Sequence, residues 1–62
     1  MIVKFIKVPA TDGRNLAVNV MLVEAIEDNG NTIKIALSGK WIELNMTVDK
    51  FIEKCNEGNE ID

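Results

Sequence analysis

Cys55 is the strongest potential nucleophile in the chain, but its surroundings argue against catalysis. The 62 residues include one cysteine and no histidine, so the chain can form neither an internal disulfide nor a Cys-His pair. A catalytic thiol normally needs such a neighbouring base. Cys55 instead lies on the apolar stripe of a predicted helix, which is typical of a buried structural cysteine.

Acidic residues form two further patterns that could support chemistry. Asp49 and Glu53 lie one helical turn apart, but a carboxylate pair needs a substrate cleft, and on a solvated helix we predict surface charge. Residues 12–13 and 28–30 resemble the start of a calcium loop, yet neither continues with alternating oxygen ligands that end in glutamate. We therefore predict no catalytic residue, no metal site and no cofactor, and we do not expect an enzyme.

The charge balance argues against a nucleic-acid partner without removing it as an alternative. Seven basic and ten acidic residues give a net charge of −3, whereas duplex-binding surfaces usually carry a basic excess. A nucleic-acid surface would require four lysines to cluster: Lys4, Lys7, Lys34 and Lys40. No apolar run approaches the ~20 residues of a membrane span, and no signal-peptide pattern is present, so we expect a cytoplasmic protein.

The size of the chain favours association with another chain. A domain of this length buries only about 60% of the surface that its unfolded form exposes. Small folds usually add disulfides, a metal or a partner. Because the sequence argues against the first two, we expect a homo-oligomer.

A Ser38-Gly39 turn sets the register of a predicted hairpin. Glycine supports the positive φ that tight hairpin turns require. One face then carries aliphatic side chains and the other pairs opposite charges across the strands. The predicted pairs are Leu37 with Lys40, Ile35 with Ile42, Ile33 with Leu44, Ala36 with Trp41, Lys34 with Glu43, and Thr32 with Asn45.

The middle run, residues 16–27, allows two registers against this hairpin. A two-residue turn at Asn29-Gly30 places Ile26 opposite Ile33 but turns Glu24 toward the core. A three-residue loop places Glu24 beside Lys34 and leaves Leu22 and Ile26 on the outer face. Asn19 is a candidate bend in this run, and the first strand is predicted at about residues 2–8.

Apolar spacing changes from strand to helix after residue 46. Thr47 is a good N-cap, Met46 and Phe51 have the spacing of a hydrophobic staple, and Gly58 suits a C-terminal stop. The positions i, i+3, i+4 and i+7 form one helical face. That face contains Val48, Phe51, Ile52 and Cys55, and it should meet Ile33, Ile35, Ile42 and Leu44.

These elements predict an α+β fold. We expect a small antiparallel meander of about four strands with one C-terminal helix packed on one face. Residues 1–58 form a single domain in this interpretation, and residues 59–62 form a flexible acidic tail.

The sheet face opposite the helix is the predicted protein interface. Trp41 points to that face, and tryptophan is concentrated at the centres of interfaces. An exposed apolar patch also marks association. The alternative is that Trp41 packs on Ala36 and a middle-run aliphatic, with part of its ring in water. The predicted interface residues are Trp41, Ala36, Lys34 and Glu43.

The linear order of these motifs resembles the small flagellar protein family FlbD, also called SwrD. The resemblance covers an Asp-Gly turn after the first strand, VNVMLVEAIE (18–27), NTIKIALSGK (31–40) and TVDKFIEK (47–54). It implies a non-enzymatic accessory of flagellar or swarming motility and no site residues. The acidic C-terminal residues, Trp41 and Cys55 depart from that family's pattern.

A second resemblance covers a shorter part of the chain. AIEDNGNTIKIALSGK (25–40) is similar to the middle of LytTR-type DNA-binding domains, in which a hairpin precedes a helix. Those domains are longer and more basic. This resemblance implies a nucleic-acid-binding regulatory module as the alternative function.

Overall fold

The computed structural model describes residues 3–57 and 59–61. The described part contains six strands, one short 3-10 helix and one α-helix. In chain order these are β1 (Val3–Pro9), β2 (Asn15–Asn19), the 3-10 helix (Val20–Leu22), β3 (Val23–Asp28), β4 (Ile33–Leu37), β5 (Lys40–Leu44), α1 (Val48–Glu57) and β6 (Asn59–Ile61).

The fold is α+β, as the sequence predicts, but the strands form two antiparallel sheets rather than one meander. Their strand orders are β2-β1-β6 and β3-β4-β5. The middle run divides between them because it bends at Asn19, whose side chain accepts a hydrogen bond from the Met21 amide at 3.0 Å. The predicted bend is therefore confirmed, and it carries the chain from one sheet to the other.

The two sheets meet where β1 ends beside β5. Ala10 forms a bridge with Leu44. The amide of Asn45 donates to the Pro9 carbonyl at 2.8 Å, and the amide of Thr11 donates to the Glu43 carbonyl at 3.2 Å. This junction joins residues that are far apart in sequence.

The predicted β4–β5 hairpin register is confirmed. Ile35 pairs with Ile42, Ala36 with Trp41, and Lys34 with Glu43. Ser38 and Gly39 have φ values of 50° and 77°. Two successive positive φ angles match the right-handed twist of the flanking strands, which is why this short turn fixes the pairing.

The β3–β4 register differs from both predicted alternatives. Ile26 pairs with Ile35 and Glu27 with Lys34. The connection spans residues 29–32 and is therefore longer than the Asn29-Gly30 signal suggests. Within it the Asp28 carboxylate accepts from the Gly30 amide at 2.9 Å. A bulge between Val23 and Ala25 shifts the register again.

The helix begins as predicted, but one residue of its apolar face is exposed. The Lys50 amide donates to the Thr47 hydroxyl at 3.2 Å, which confirms the N-cap. Phe51 is buried and Val48 and Cys55 are half-buried, whereas Ile52 is 49% exposed. At about 100° per residue, Ile52 lies roughly 65° from the centre of the other three, at the margin of the buried stripe.

The core draws on both sheets and the helix. Ile33, Ile35 and Leu44 are 0% exposed and lie in one cluster with Phe51. Phe51 therefore shares a core with the hairpin, as predicted, but the strand that the helix mainly contacts is β1, which the prediction did not include. The other buried members of the cluster are Ile6, Val8, Val18 and Met46.

The C-terminal predictions fall largely beside or beyond the described residues. Gly58, the predicted helix stop, lies outside them, and α1 ends at Glu57. The predicted tail begins at residue 59, where the structure pairs the backbone of Asn59–Ile61 with that of Val3–Phe5 in β1.

Candidate functional site

The predicted interface residues lie together on the side of the β3–β4–β5 sheet that faces away from the core. Cross-strand pairing arranges this outer face in two rows that run across the three strands. The apolar row consists of Ala25, Ala36 and Trp41, and the charged row consists of Glu27, Lys34 and Glu43.

Trp41 is the largest side chain of the outer face and is 56% exposed. Its cross-strand neighbour is Ala36, and the next residue in the row is Ala25. Two alanines have too little side-chain surface to cover an indole. More than half of Trp41 is therefore available for contact, an exposure that is compatible with both the interface prediction and the packing alternative.

The charged row alternates in sign. Lys34 lies between Glu27 on β3 and Glu43 on β5, with its stem half-buried. The Glu43 carboxylate accepts a hydrogen bond from the Thr11 hydroxyl at 2.9 Å, which holds it beside the sheet junction. This arrangement presents one positive charge between two negative charges.

Ion pairs within 4 Å occur elsewhere in the described part of the chain. They join Arg14 to Asp12 at 2.6 Å and Lys50 to Glu53 at 3.6 Å. Lys34 and Glu43 face the same side without such a contact. Their charges are therefore positioned by the strands and are not held in a tight pair.

No family model, curated protein sequence or solved structure matches this chain. Functional assignment consequently depends on the geometry of the chain itself.

Two outer-face residues, Ala25 and Glu27, were not predicted as interface members. Ala25 appeared beside Trp41 in one of the two open registers, and Glu27 was named in neither. The pairing of Ala25 with Ala36 and of Glu27 with Lys34 places both on the outer face. An aspartate immediately before Asn-Gly was the available signal for a different connection, because its carboxylate accepts from the Gly30 amide.

Other large apolar side chains are exposed away from these two rows. The most exposed is Met21 at 62%, in the 3-10 helix. Leu22, which one register placed beside Trp41, lies in the same 3-10 helix. The remaining members of this group are Phe5, Ile26 and Ile52.

The four lysines of the nucleic-acid alternative are divided between the two sheets. Lys34 and Lys40 belong to the β4–β5 hairpin, whereas Lys4 and Lys7 belong to β1. Lys7 instead lines a surface groove together with Lys54 of the helix, Pro9 and Ala17. The four predicted lysines thus lie two on each sheet, and the nucleic-acid alternative stays a prediction.

The residues considered for catalysis lie in ordinary structural settings. Burial raises the pKa of the Cys55 thiol, an effect that the positive charge of Lys4 partly opposes. The Glu53 carboxylate contacts Lys50 on the helix surface, and Asp49 is exposed. Within residues 3–57 and 59–61 no three metal-ligating side chains lie close enough to hold an ion.

One further finding concerns membranes. Over the described ranges, no helix is both long and apolar enough to cross a bilayer.

Proposed function

We propose that this chain is a non-enzymatic, cytoplasmic protein-interaction module that self-associates through its outer face. The observation that carries the proposal is Trp41, more than half exposed in a row whose other members are alanines. A rigid aromatic ring beside small residues provides a large contact area at little cost in side-chain entropy.

The small size of the chain supports a second copy as the partner. A 62-residue domain gains stability by association, and a homodimer needs no partner beyond the chain itself. The outer face is limited to three strands of about 17 Å, spaced about 4.8 Å apart. Such a face lies near or below the lower end of stable interfaces, so we expect a dissociation constant of roughly 10 µM to 1 mM.

Sedimentation velocity over a concentration series from about 10 µM to 1 mM tests this proposal. We expect a monomer–dimer equilibrium that Trp41→Ala weakens about 30-fold, the loss typical of a central interface tryptophan (about 2 kcal/mol). Ile52→Ala is the matched control, because it truncates an exposed apolar side chain on the helix. A wild-type chain that stays monomeric at 1 mM refutes the proposal.

The resemblance to FlbD-like proteins supports a proposed cellular role for this module. Its role would be that of an accessory in flagellar or swarming motility, acting through contacts and not through a reaction. Deletion of the gene in a flagellated source should impair swarming, and Trp41→Ala at the native locus should reproduce the defect. Normal swarming after deletion would refute the motility role and leave self-association to the sedimentation test.

A further inference from the structure

We propose that two copies pack their outer faces together about a two-fold axis that runs parallel to the strands, between β4 and β5. The inference rests on the proposed self-association and specifies its geometry. It starts from the cross-strand pairs of the outer face, each of which joins two different residues. Ala36 on β4 pairs with Trp41 on β5, and Lys34 on β4 pairs with Glu43 on β5.

Such an axis places β4 of one copy over β5 of the other. It leaves each residue at the same position along the strand direction. Each Ala36 then faces the partner's Trp41, so a small side chain leaves space for the indole. Each Lys34 faces the partner's Glu43, so opposite charges meet twice. Packed sheets lie about 10 Å apart, a distance that a lysine stem and a glutamate can span together.

An axis centred on a strand gives poorer contacts. Centred on β4, it places Lys34 against the partner's Lys34 and Glu43 against the partner's Glu27. Centred on β5, it places the two Trp41 side chains in the same space and the two Glu43 carboxylates opposite each other. Like charges opposed across an interface are costly, which excludes both arrangements.

The remaining axes leave the indole or the charges unpaired. Between β3 and β4, the axis pairs Glu27 with the partner's Lys34 but leaves Trp41 beyond the edge of the opposite sheet. An axis perpendicular to the strands and between the two rows would set Trp41 against the partner's Glu43 and Ala36 against the partner's Lys34. Among axes parallel to the strands, the one between β4 and β5 alone satisfies both rows.

Charge reversal tests this arrangement, because it predicts a heterodimer from two variants that do not self-associate. In a Lys34→Glu homodimer two glutamates oppose each other at each contact, and in a Glu43→Lys homodimer two lysines do. Each homodimer should have a dissociation constant raised about tenfold or more. In an equal mixture, residue 34 of one variant meets residue 43 of the other with opposite charge at both contacts, so the mixed dimer should form within about threefold of wild-type affinity.

The mixture also separates the contact between copies from the pairing within one chain. Lys34 and Glu43 are cross-strand neighbours, and each variant retains like charges at that internal pair in the mixture. Recovery on mixing therefore reports only the contact between copies. Circular dichroism of each variant confirms that it is folded.

Glu27→Lys is the matched control. It makes the same charge change in the same row but lies on β3, where this arrangement places no partner charge. It should leave the dissociation constant within about threefold of wild type. Lys40→Glu, at the start of β5 and outside both rows, is the equivalent control for Lys34→Glu.

The mixture is measured by sedimentation velocity with one variant fluorescently labelled. A mixed dimer, with weak homodimers and a neutral Glu27→Lys, supports the arrangement. A wild-type dimer that Trp41→Ala weakens but whose charge variants fail to pair on mixing overturns the arrangement and leaves the proposed function standing. A wild-type monomer at about 1 mM overturns the proposed function itself.

Discussion

The two faces of the β3–β4–β5 sheet carry apolar side chains in different settings. The inner face presents branched aliphatic residues, of which Ile33, Ile35 and Leu44 are 0% exposed. The outer face presents two alanines and Trp41, which is 56% exposed. The inner face thus supplies free energy of folding, whereas the outer face is the surface that the proposed self-association would use. Because successive side chains of a strand point to opposite faces, the β4–β5 hairpin contributes residues to both faces of the sheet.

The largest expected effect comes from truncating each face in turn. Ile35→Ala should lower the free energy of unfolding by about 2–5 kcal/mol, because it leaves a cavity at a fully buried position. Trp41→Ala should cost the monomer less, about 1–2 kcal/mol, since more than half of the residue is already in water. Urea unfolding followed by circular dichroism at about 1 µM, where the proposed dimer is dissociated, measures both values.

Similar losses in the free energy of unfolding for Ile35→Ala and Trp41→Ala would contradict this contrast between the two faces. That result would mean that the Trp41 indole contributes to the stability of its own chain and not to contact with a partner. Ala36→Gly is of little use as a control, because glycine also changes the strand backbone. Ile52→Ala is preferable, since it removes an exposed aliphatic side chain from the helix and should resemble Trp41→Ala in cost.

The inner face was predicted from the sequence because its determinants are local. Ser38 and Gly39 adopt the positive φ angles that a two-residue turn requires, and this fixes the register of the hairpin. The N-cap at Thr47 is similarly local, since hydroxyl and amide are three residues apart. Turn chemistry and apolar alternation agree in this part of the chain, so the pairing follows from the sequence.

The outer face was predicted only in part because the β3–β4 pairing depends on a longer connection and on an irregularity. The connection spans residues 29–32 and is not a two-residue turn, and a bulge between Val23 and Ala25 shifts the pairing again. A bulge inserts an extra residue into one strand, so uniform alternation of side chains does not predict it. The junction of Ala10 with Leu44 has no sequence signal, because it depends on the packing of two separate sheets.

An intermediate effect should follow from removing the cap of the helix that packs against the core. Thr47→Ala eliminates the acceptor for the Lys50 amide and should lower the free energy of unfolding by about 1 kcal/mol. Thr47→Ser retains the hydroxyl and should recover most of that loss. Thermal unfolding of the three proteins at one concentration measures the series.

Thr47→Ala also tests whether the inner face affects the proposed interface on the outer face. The helix packs with the inner-face residues and not with Trp41, so Thr47→Ala should leave the dimer dissociation constant unchanged while the protein is folded. A dissociation constant that rises with the loss of the cap would show that the two faces are coupled through the sheet.

The smallest effect should come from Asp12, which lies in a turn outside both faces. A hydrogen bond from the Arg14 backbone amide, aided by the Arg14 guanidinium, lowers the pKa of the Asp12 carboxyl below its ordinary value. A folded-state pKa below the unfolded one contributes stability above the unfolded value, and that contribution is lost as pH falls through the folded pKa. The loss should therefore begin near pH 4 and continue in more acidic solution.

Asp12→Asn isolates this contribution, because the amide keeps an acceptor for the Arg14 backbone but carries no charge. We expect wild type to be slightly more stable at pH 6, and the difference in midpoint of thermal unfolding to shrink as the pH falls below about 4. Arg14→Gln retains the backbone donor, which is the main cause of the shift, and should keep most of the pH dependence. A difference between wild type and Asp12→Asn that stays constant with pH would mean that carboxylate ionisation does not stabilise this turn, and its role would then be conformational.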